Sequence, residues 1–460
     1  MNSQSKKMEL LGSASIPKAL LAMGIPTMIG MLVNAFYNLV DAYFVGGLGE
    51  SQMGAISVVY PLGQVVVGLG LLFGNGAASY ISRLLGRGDK ENADKVASTA
   101  LYSSVSVGAV IIIISMVFLH PILKLLGATD SILPYAATYA GIYIVSCIFN
   151  VFNVTMNNIV TSEGAAKTTM CALLTGAVLN IALDPLFIYI FDLGVAGAAI
   201  ATAISQVVST CVYLTYILRK KSVFHFRIKD CTYTKEILSE IFKIGIPTLV
   251  FQILTSVSIS LINNAAGDYG DSAIAGMGVV TRLISMGSLS VFGFIKGFQP
   301  IAGYSYGAKK FDRLREAIGT SILWSTVFCV VFGLVLAIFP AAIVSGFTKG
   351  DTEMIRIGAA SLRANGFSIM LFGFYTVYSS LFLALGKGRE GFILGACRQG
   401  ICFIPVILLL PMFWGLNGIL YAQPIADVLS AIVTVFMAIP LHRKLNEMQK
   451  QTAAISTNNN

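Results

Sequence analysis

The chain has 460 residues, of which 56% are apolar types and 12% charged, with a formal charge of +9 and a mean hydropathy of +0.78. A soluble globular chain carries about 25% charged residues, so these figures exclude an ordinary soluble enzyme, a disordered protein and a nucleic-acid binder. A membrane-spanning helix needs about 20 apolar residues, which leaves room for about 10–14 spans.

The first 18 residues are polar. The apolar run behind them is too long for the core of a secretory signal, so a cytoplasmic amino terminus is expected. A first span at about 19–44 opens with Gly24-Ile25-Pro26-Thr27 and carries Asn34, Tyr37, Asn38 and Asp41 in one polar stripe. A second, at about 54–81, leads into Ser82-Arg83-Leu84-Leu85-Gly86-Arg87-Gly88-Asp89, and a third covers about 96–119. The fourth, about 132–157, has Asn150, Asn153 and Asn157 nearly on one face. In the fifth, about 168–190, Asn180 and Asp184 stand one turn apart, and Pro185 frees the Ile181 carbonyl and invites a bend. The sixth, about 195–218, offers Thr202, Ser205 and Gln206.

After a basic stretch, the seventh span (about 240–266) opens with Gly245-Ile246-Pro247-Thr248 and holds Gln252, Asn263 and Asn264. The eighth, about 273–300, contains Met277, Arg282, Met286 and Lys296, and leads into a loop that matches the one after the second span. The ninth covers about 317–340. The tenth, about 356–384, carries Arg363, Asn365, Phe367, Met370, Tyr375 and Tyr378. The eleventh, about 391–412, has Arg398, and the twelfth, about 417–440, has Asp427. The seven cysteines form no C-x-x-C and read as small buried apolar residues.

Twenty-four of the 31 Lys and Arg fall at the termini and in alternate loops on one side, three on the other, and four inside spans. The positive-inside rule puts that basic side, and both termini, in the cytoplasm, and accounts for the net charge without nucleic acid. The chain also repeats. Gly24-Ile25-Pro26-Thr27 recurs as Gly245-Ile246-Pro247-Thr248, and the same offset along the chain relates Gly49 to Gly270, Gly86 to Gly307, Gly194 to Gly415 and Gly197 to Gly418. The predicted fold is therefore an all-α integral membrane protein of twelve transmembrane helices in two pseudo-twofold-related six-helix bundles. The predicted divisions are a cytoplasmic tail at 1–18, an amino-terminal lobe at 19–218, a cytoplasmic linker at 219–239, a carboxyl-terminal lobe at 240–440 and a cytoplasmic tail at 441–460.

Acids inside a membrane cost about 2.5–3.5 kcal/mol each on insertion scales and mark ion paths or relays. Asp41 and Asp184, with the amides and hydroxyls around them, suit a proton or a Na⁺ ion. A substrate cavity is expected from Tyr37, Asn38, Asn153, Gln252, Met277, Arg282, Met286 and Met370. In the second half an arginine is expected to face Asp427. A P-loop, a potassium filter, H-E-x-x-H and G-x-S-x-G are all missing from the sequence. That argues against ATP as the energy source, against a potassium channel and against an enzyme, and no cofactor is expected beyond a coupling ion.

With these residues in place, the chain resembles the MATE (multidrug and toxic compound extrusion) transporters over about residues 15–445, and most closely their MepA-like bacterial branch. The likeness rests on Gly24-Ile25-Pro26 with Asn38 and Asp41, and on Gly74-Asn75-Gly76-Ala77 through Gly86. It rests also on Asn180-Ile181-Ala182-Leu183-Asp184-Pro185, Gly194-Val195-Ala196-Gly197-Ala198-Ala199, and Glu240 through Pro247. The resemblance implies a V of two lobes and export of amphipathic or cationic drugs and toxic organic cations in exchange for H⁺ or Na⁺. It implies a monomer among the lipids of a bacterial cell membrane. It carries ion coupling onto Asp41, Asn157, Asn180, Asp184 and Thr202, with Na⁺ held by Asp41, Asn180, Asp184 and Thr202. A carboxyl-lobe Na⁺ site of some relatives has no acid here on the seventh or tenth span. The alternative is a flippase for a lipid-linked glycan, against which twelve spans and an acidic amino lobe weigh.

Overall fold

The structure is a computed structural model that describes residues 3–347 and 352–458. Lys349, counted above on the less basic side, lies outside the described residues. Among the described residues, twelve helices are long and apolar enough to cross a membrane: Ile16–Gly46, Gly54–Arg87, Lys90–Val117, Leu133–Ser162, Ala166–Ile190, Gly194–Leu218, Lys235–Gly267, Ser272–Gly307, Phe311–Ile338, Thr352–Ala384, Gly388–Trp414 and Leu416–Gln451. They are numbered here as spans 1–12. Several run past the apolar stretches that foretold them. The 34 residues of span 2 extend about 51 Å at about 1.5 Å per residue, against a hydrocarbon layer of about 30 Å. A surplus of this size suits tilt together with a polar extension such as Ser82-Arg83 through Arg87, which hydropathy does not register.

Three short helices were not foreseen: Ser3–Gly12 ahead of span 1, Leu119–Leu125 after span 3 and Pro340–Ser345 after span 9. The starts of the last two are separated by the same offset as the glycines, so the repeat extends to features that hydropathy misses. It extends to backbone angles as well. Gly49 and Gly270, each just ahead of the second helix of its half, have φ of 115° and 93°, a region that a Cβ disfavours. Spans 3 and 9 also expose matching apolar side chains, Val110, Ile113 and Val117 on one and Val331, Leu334 and Ile338 on the other. These faces suit contact with hydrocarbon. All seven cysteines are free, but the expectation that they are buried holds only for Cys147, Cys329 and Cys397; Cys231 and Cys402 are half-buried, and Cys171 and Cys211 are exposed on spans 5 and 6.

The halves meet through their first two helices. Span 1 packs on span 5 of its own half and on span 8 of the other, while span 2 packs on spans 4, 7 and 8. Small residues let these backbones touch. Where spans 2 and 8 cross, a Cβ on Gly86 would lie 2.1 Å from the Tyr304 carbonyl oxygen, and one on Gly307 would lie 2.1 Å from that of Arg83. Arg83 and Tyr304 are themselves counterparts in the repeat, so the crossing obeys the pseudo-twofold. At the same, basic end Arg83 pairs with Glu240 at 2.6 Å, and the Tyr80 hydroxyl donates to Glu236 at 3.0 Å. These links join the halves there, and they correct the expectation of no acid on the seventh and tenth spans: span 7 begins with Glu236 and Glu240, and span 10 begins near Glu353, each at a helix end.

The amino-terminal helix Ser3–Gly12 is fastened to both halves. Lys7 is buried and donates to Glu163, to the Tyr216 hydroxyl and to the Lys221 carbonyl in the first half. From the second half, Lys310 donates to the Gly12 carbonyl at 2.8 Å, and Arg313 donates to the carbonyls of Leu10, Leu11 and Ala14. Burial pushes the Glu163 carboxyl up and the Lys7 ammonium down, and each group's charge counteracts the shift of the other.

Candidate functional site

In the first half, Asp184 is fully buried on span 5. Asn180, one turn earlier, directs its amide toward both Asp184 Oδ1 at 3.4 Å and the Thr202 hydroxyl of span 6 at 3.5 Å. Pro185 follows, and the helix widens into a π turn over Leu186–Ile190, as expected where the proline nitrogen cannot donate. Asp41 of span 1 lies close enough to Asp184 for the two carboxyl groups to interact. Two carboxyl groups so placed cannot both be ionised and bare; they share a proton or hold a cation between them. Oxygens of Asp41, Asn150, Asn180 and Asp184 are buried without a hydrogen bond from the protein. All are acceptors, and such groups call for a donor or a cation.

Tyrosines complete the surroundings. Tyr37 of span 1 and Tyr139 of span 4 lie near enough to Asp41 to feel its charge, and Tyr139 stacks on Tyr143 with ring centroids 5.5 Å apart. The sequence reading missed these two span 4 tyrosines. The signal was available, since residues 139, 143, 150 and 157 continue a single helical face.

The other expected coupling residue, Asn157, is bonded elsewhere. Its amide donates to the Tyr213 hydroxyl at 3.3 Å, and its oxygen accepts a short contact from Lys296 Nζ of span 8. Asn153 is saturated within the first half: it donates to Gln206 Oε1 at 2.8 Å and accepts from the Thr210 hydroxyl at 3.0 Å. Asn38 is exposed and donates to the Asn34 carbonyl one turn back.

A cavity of about 560 Å³ opens in the second half, walled mostly by spans 7, 8, 10, 11 and 12, while the first half contributes Met31, Tyr60, Leu71, Asn75 and Asn158; its volume is within the range of drug-sized sites. Of the residues expected to line it, Gln252 and Met277 do so. Gln252 also donates across the gap to Gln64 at 2.8 Å. Tyr37, Asn38, Asn153, Arg282, Met286 and Met370 lie outside its lining. Arg282 and Met286 are exposed, and Met370 packs beside Gly333. The walls are apolar and aromatic, with Phe251, Phe292 and Tyr375 prominent; the charged groups on them are Lys296 and Arg398. Arg398 is committed to Asp427 at 3.0 Å, which also accepts from Ser368 at 2.9 Å and Gln423 at 3.0 Å. The Arg398 guanidinium lies 4.6 Å from the Phe372 ring centroid. Its helix, too, opens into a π turn, over Cys397–Ile401.

The family model described as MatE matches the chain twice, over residues 26–186 and 247–409. The starts of the two matches are separated by the offset of the glycine repeat. The multidrug export protein MepA of Staphylococcus aureus (strain MSSA476) is 32% identical over 429 residues, which is 93% of this chain and 94% of that one. A crystal structure of a MATE in complex with MaL6 superposes with a TM-score of 0.91 at 27% identity, covering 97% of this chain and 99% of the other. The outward-facing conformation of a multidrug resistance MATE family transporter gives 0.90 at 27% identity and the same coverage. With its twelve spans in two related halves, this multi-pass membrane protein belongs to the MATE family of transporters.

Proposed function

We propose that the chain is an ion-coupled multidrug exporter of a bacterial cell membrane, with both termini in the cytoplasm, moving amphipathic compounds outward in exchange for H⁺ or Na⁺. The observation that carries this reading is the meeting of Asp41 and Asp184, set among Asn180, Thr202 and three tyrosines. A carboxyl pair that must hold a proton or a cation can load the ion in one conformation and release it in another. A cationic drug competes for the same charge. One inward charge gains about 2.3 kcal/mol per 100 mV of membrane potential, enough to bias such a cycle. The relatives support export of drugs, since the similar staphylococcal protein is a multidrug export protein. A glycan-lipid flippase calls for a strongly cationic cavity, whereas among the described residues Lys296 is the one cation lining this cavity without a carboxylate partner.

The test is dye efflux from proteoliposomes under a pH gradient or a Na⁺ gradient imposed separately. Asp184→Asn is expected to reduce gradient-driven efflux to background in correctly inserted protein. Asp41→Asn should do nearly the same, and Asp427→Asn should be milder. Wild-type efflux by Asp184→Asn under both gradients refutes the mechanism.

A further inference from the structure

The cavity of the second half, bordered by a few residues of the first, has a polarity opposite to that of the carboxyl pair. No Asp or Glu lines it among the described residues. Of its two cations, Arg398 is neutralised by Asp427. Among the described residues Lys296 has no carboxylate within salt-bridge range; its ammonium contacts the neutral amide oxygen of Asn157. A charge inside a membrane protein facing only neutral groups is under-compensated, and its counterion is then expected to arrive as a ligand. The position is central. Lys296 is the counterpart of Asn75 in the repeat, and both line the cavity. The two therefore flank the pseudo-twofold axis, one from each half. Gln299, on the same lining, adds an amide donor suited to the oxygens of an anion, whereas the Asn158 amide there already donates to the Val154 carbonyl one turn back at 2.8 Å. Phe251, Phe292 and Tyr375 offer an aromatic wall for the rest of the molecule.

We propose that this cavity binds the anionic group of an amphipathic substrate at Lys296, so that the compounds handled include zwitterions and anions carrying a carboxylate on an aromatic body. The inference deepens the export reading and rests on it for the fate of the bound compound. The binding step is separate, and the acid pair of the first half has no part in it.

The experiment uses the purified full-length protein in detergent and two fluorescent probes, dansyl-phenylalanine and its methyl ester. They differ by one negative charge. Hydrogen bonds to charged groups contribute about 1.5–3 kcal/mol, so the wild type should bind the acid about tenfold or more tightly than the ester. Lys296→Gln should bring the two affinities within about twofold of each other by weakening the acid while leaving the ester unchanged. Lys296→Arg, which keeps the charge, should preserve the preference. Equal binding of acid and ester by the wild type, or a preference that survives Lys296→Gln, overturns the proposal. The two readings fail separately: acid-selective binding lost in Lys296→Gln, with no gradient-driven efflux of any compound in a panel, would sustain the anion site and refute export.

Discussion

The crossing of spans 2 and 8 allows a quantitative test of how the halves close. Gly307→Ala puts a methyl 2.1 Å from the Arg83 carbonyl oxygen and 2.9 Å from its carbon, both backbone atoms that no rotamer change can move. Ordinary van der Waals contact begins at 3.4 Å, so the two helices must part by about 1.3 Å. Overpacking of this kind costs about 1–3 kcal/mol. Charged to the state closed at the basic end, that shifts the balance toward opening by about 5–150-fold. Ser305, fully buried two residues before Gly307, reports the change. In a cysteine-free background, Ser305→Cys should react slowly with a maleimide in inverted vesicles, and faster by that factor once Gly307→Ala is added. Gly319→Ala on span 9, where a Cβ meets nothing within 4 Å, should leave the rate unaltered. Equal rates with and without Gly307→Ala would refute the claim that this crossing seals the basic end.

Breaking the buried Arg398–Asp427 pair with Arg398→Met should destabilise the protein by about 3–5 kcal/mol in an SDS unfolding titration, because Asp427 is left charged and buried. Arg398→Met with Asp427→Leu should recover most of that loss, and a double variant as unstable as the single one would contradict this account. Lys7→Ala should loosen the amino-terminal helix, seen as faster tryptic cleavage after Lys18 with the spans intact. Lys229→Cys, at an exposed site between the halves, should resist an impermeant thiol reagent added outside intact cells; ready labelling would reverse the assigned orientation.

The number of spans and their pairing into halves could be read from the sequence because both depend on local signals: runs of apolar residues, sorted Lys and Arg, and glycines at a fixed offset. Helix ends were less legible: the second span runs on to Arg87 and the last helix on to Asn458, each well past the apolar stretch that foretold it. In the first half, Asn180 and Asp184 share one turn of one helix, so spacing alone made them neighbours. Asp41 joining them, and Lys296 reaching Asn157 from the other half, depend on how helices cross, which no periodicity encodes. Tyr139 and Tyr143 had the right spacing, but tyrosines in an apolar helix look like ordinary packing residues. The commitment of Arg398 to Asp427 was foreseeable in kind, because a buried acid requires a partner, though not in which arginine supplies it.

The constant offset between the halves also bears on redundancy. A chain made by doubling one unit starts with two copies of everything, and either copy is then free to drift. Here the counterparts of Asp41, Asn180 and Asp184 are Ile262, Ile401 and Pro405, while Lys296 answers to Asn75 and Asp427 to Gln206. The scaffold has stayed duplicated down to single glycines, but the ionisable groups have not. At these positions each half carries ionisable groups that its counterpart lacks. On the proposed mechanism a defect at Asp184 has no stand-in at its counterpart, Pro405, and a chain made of one half repeated would carry either two acid pairs or none.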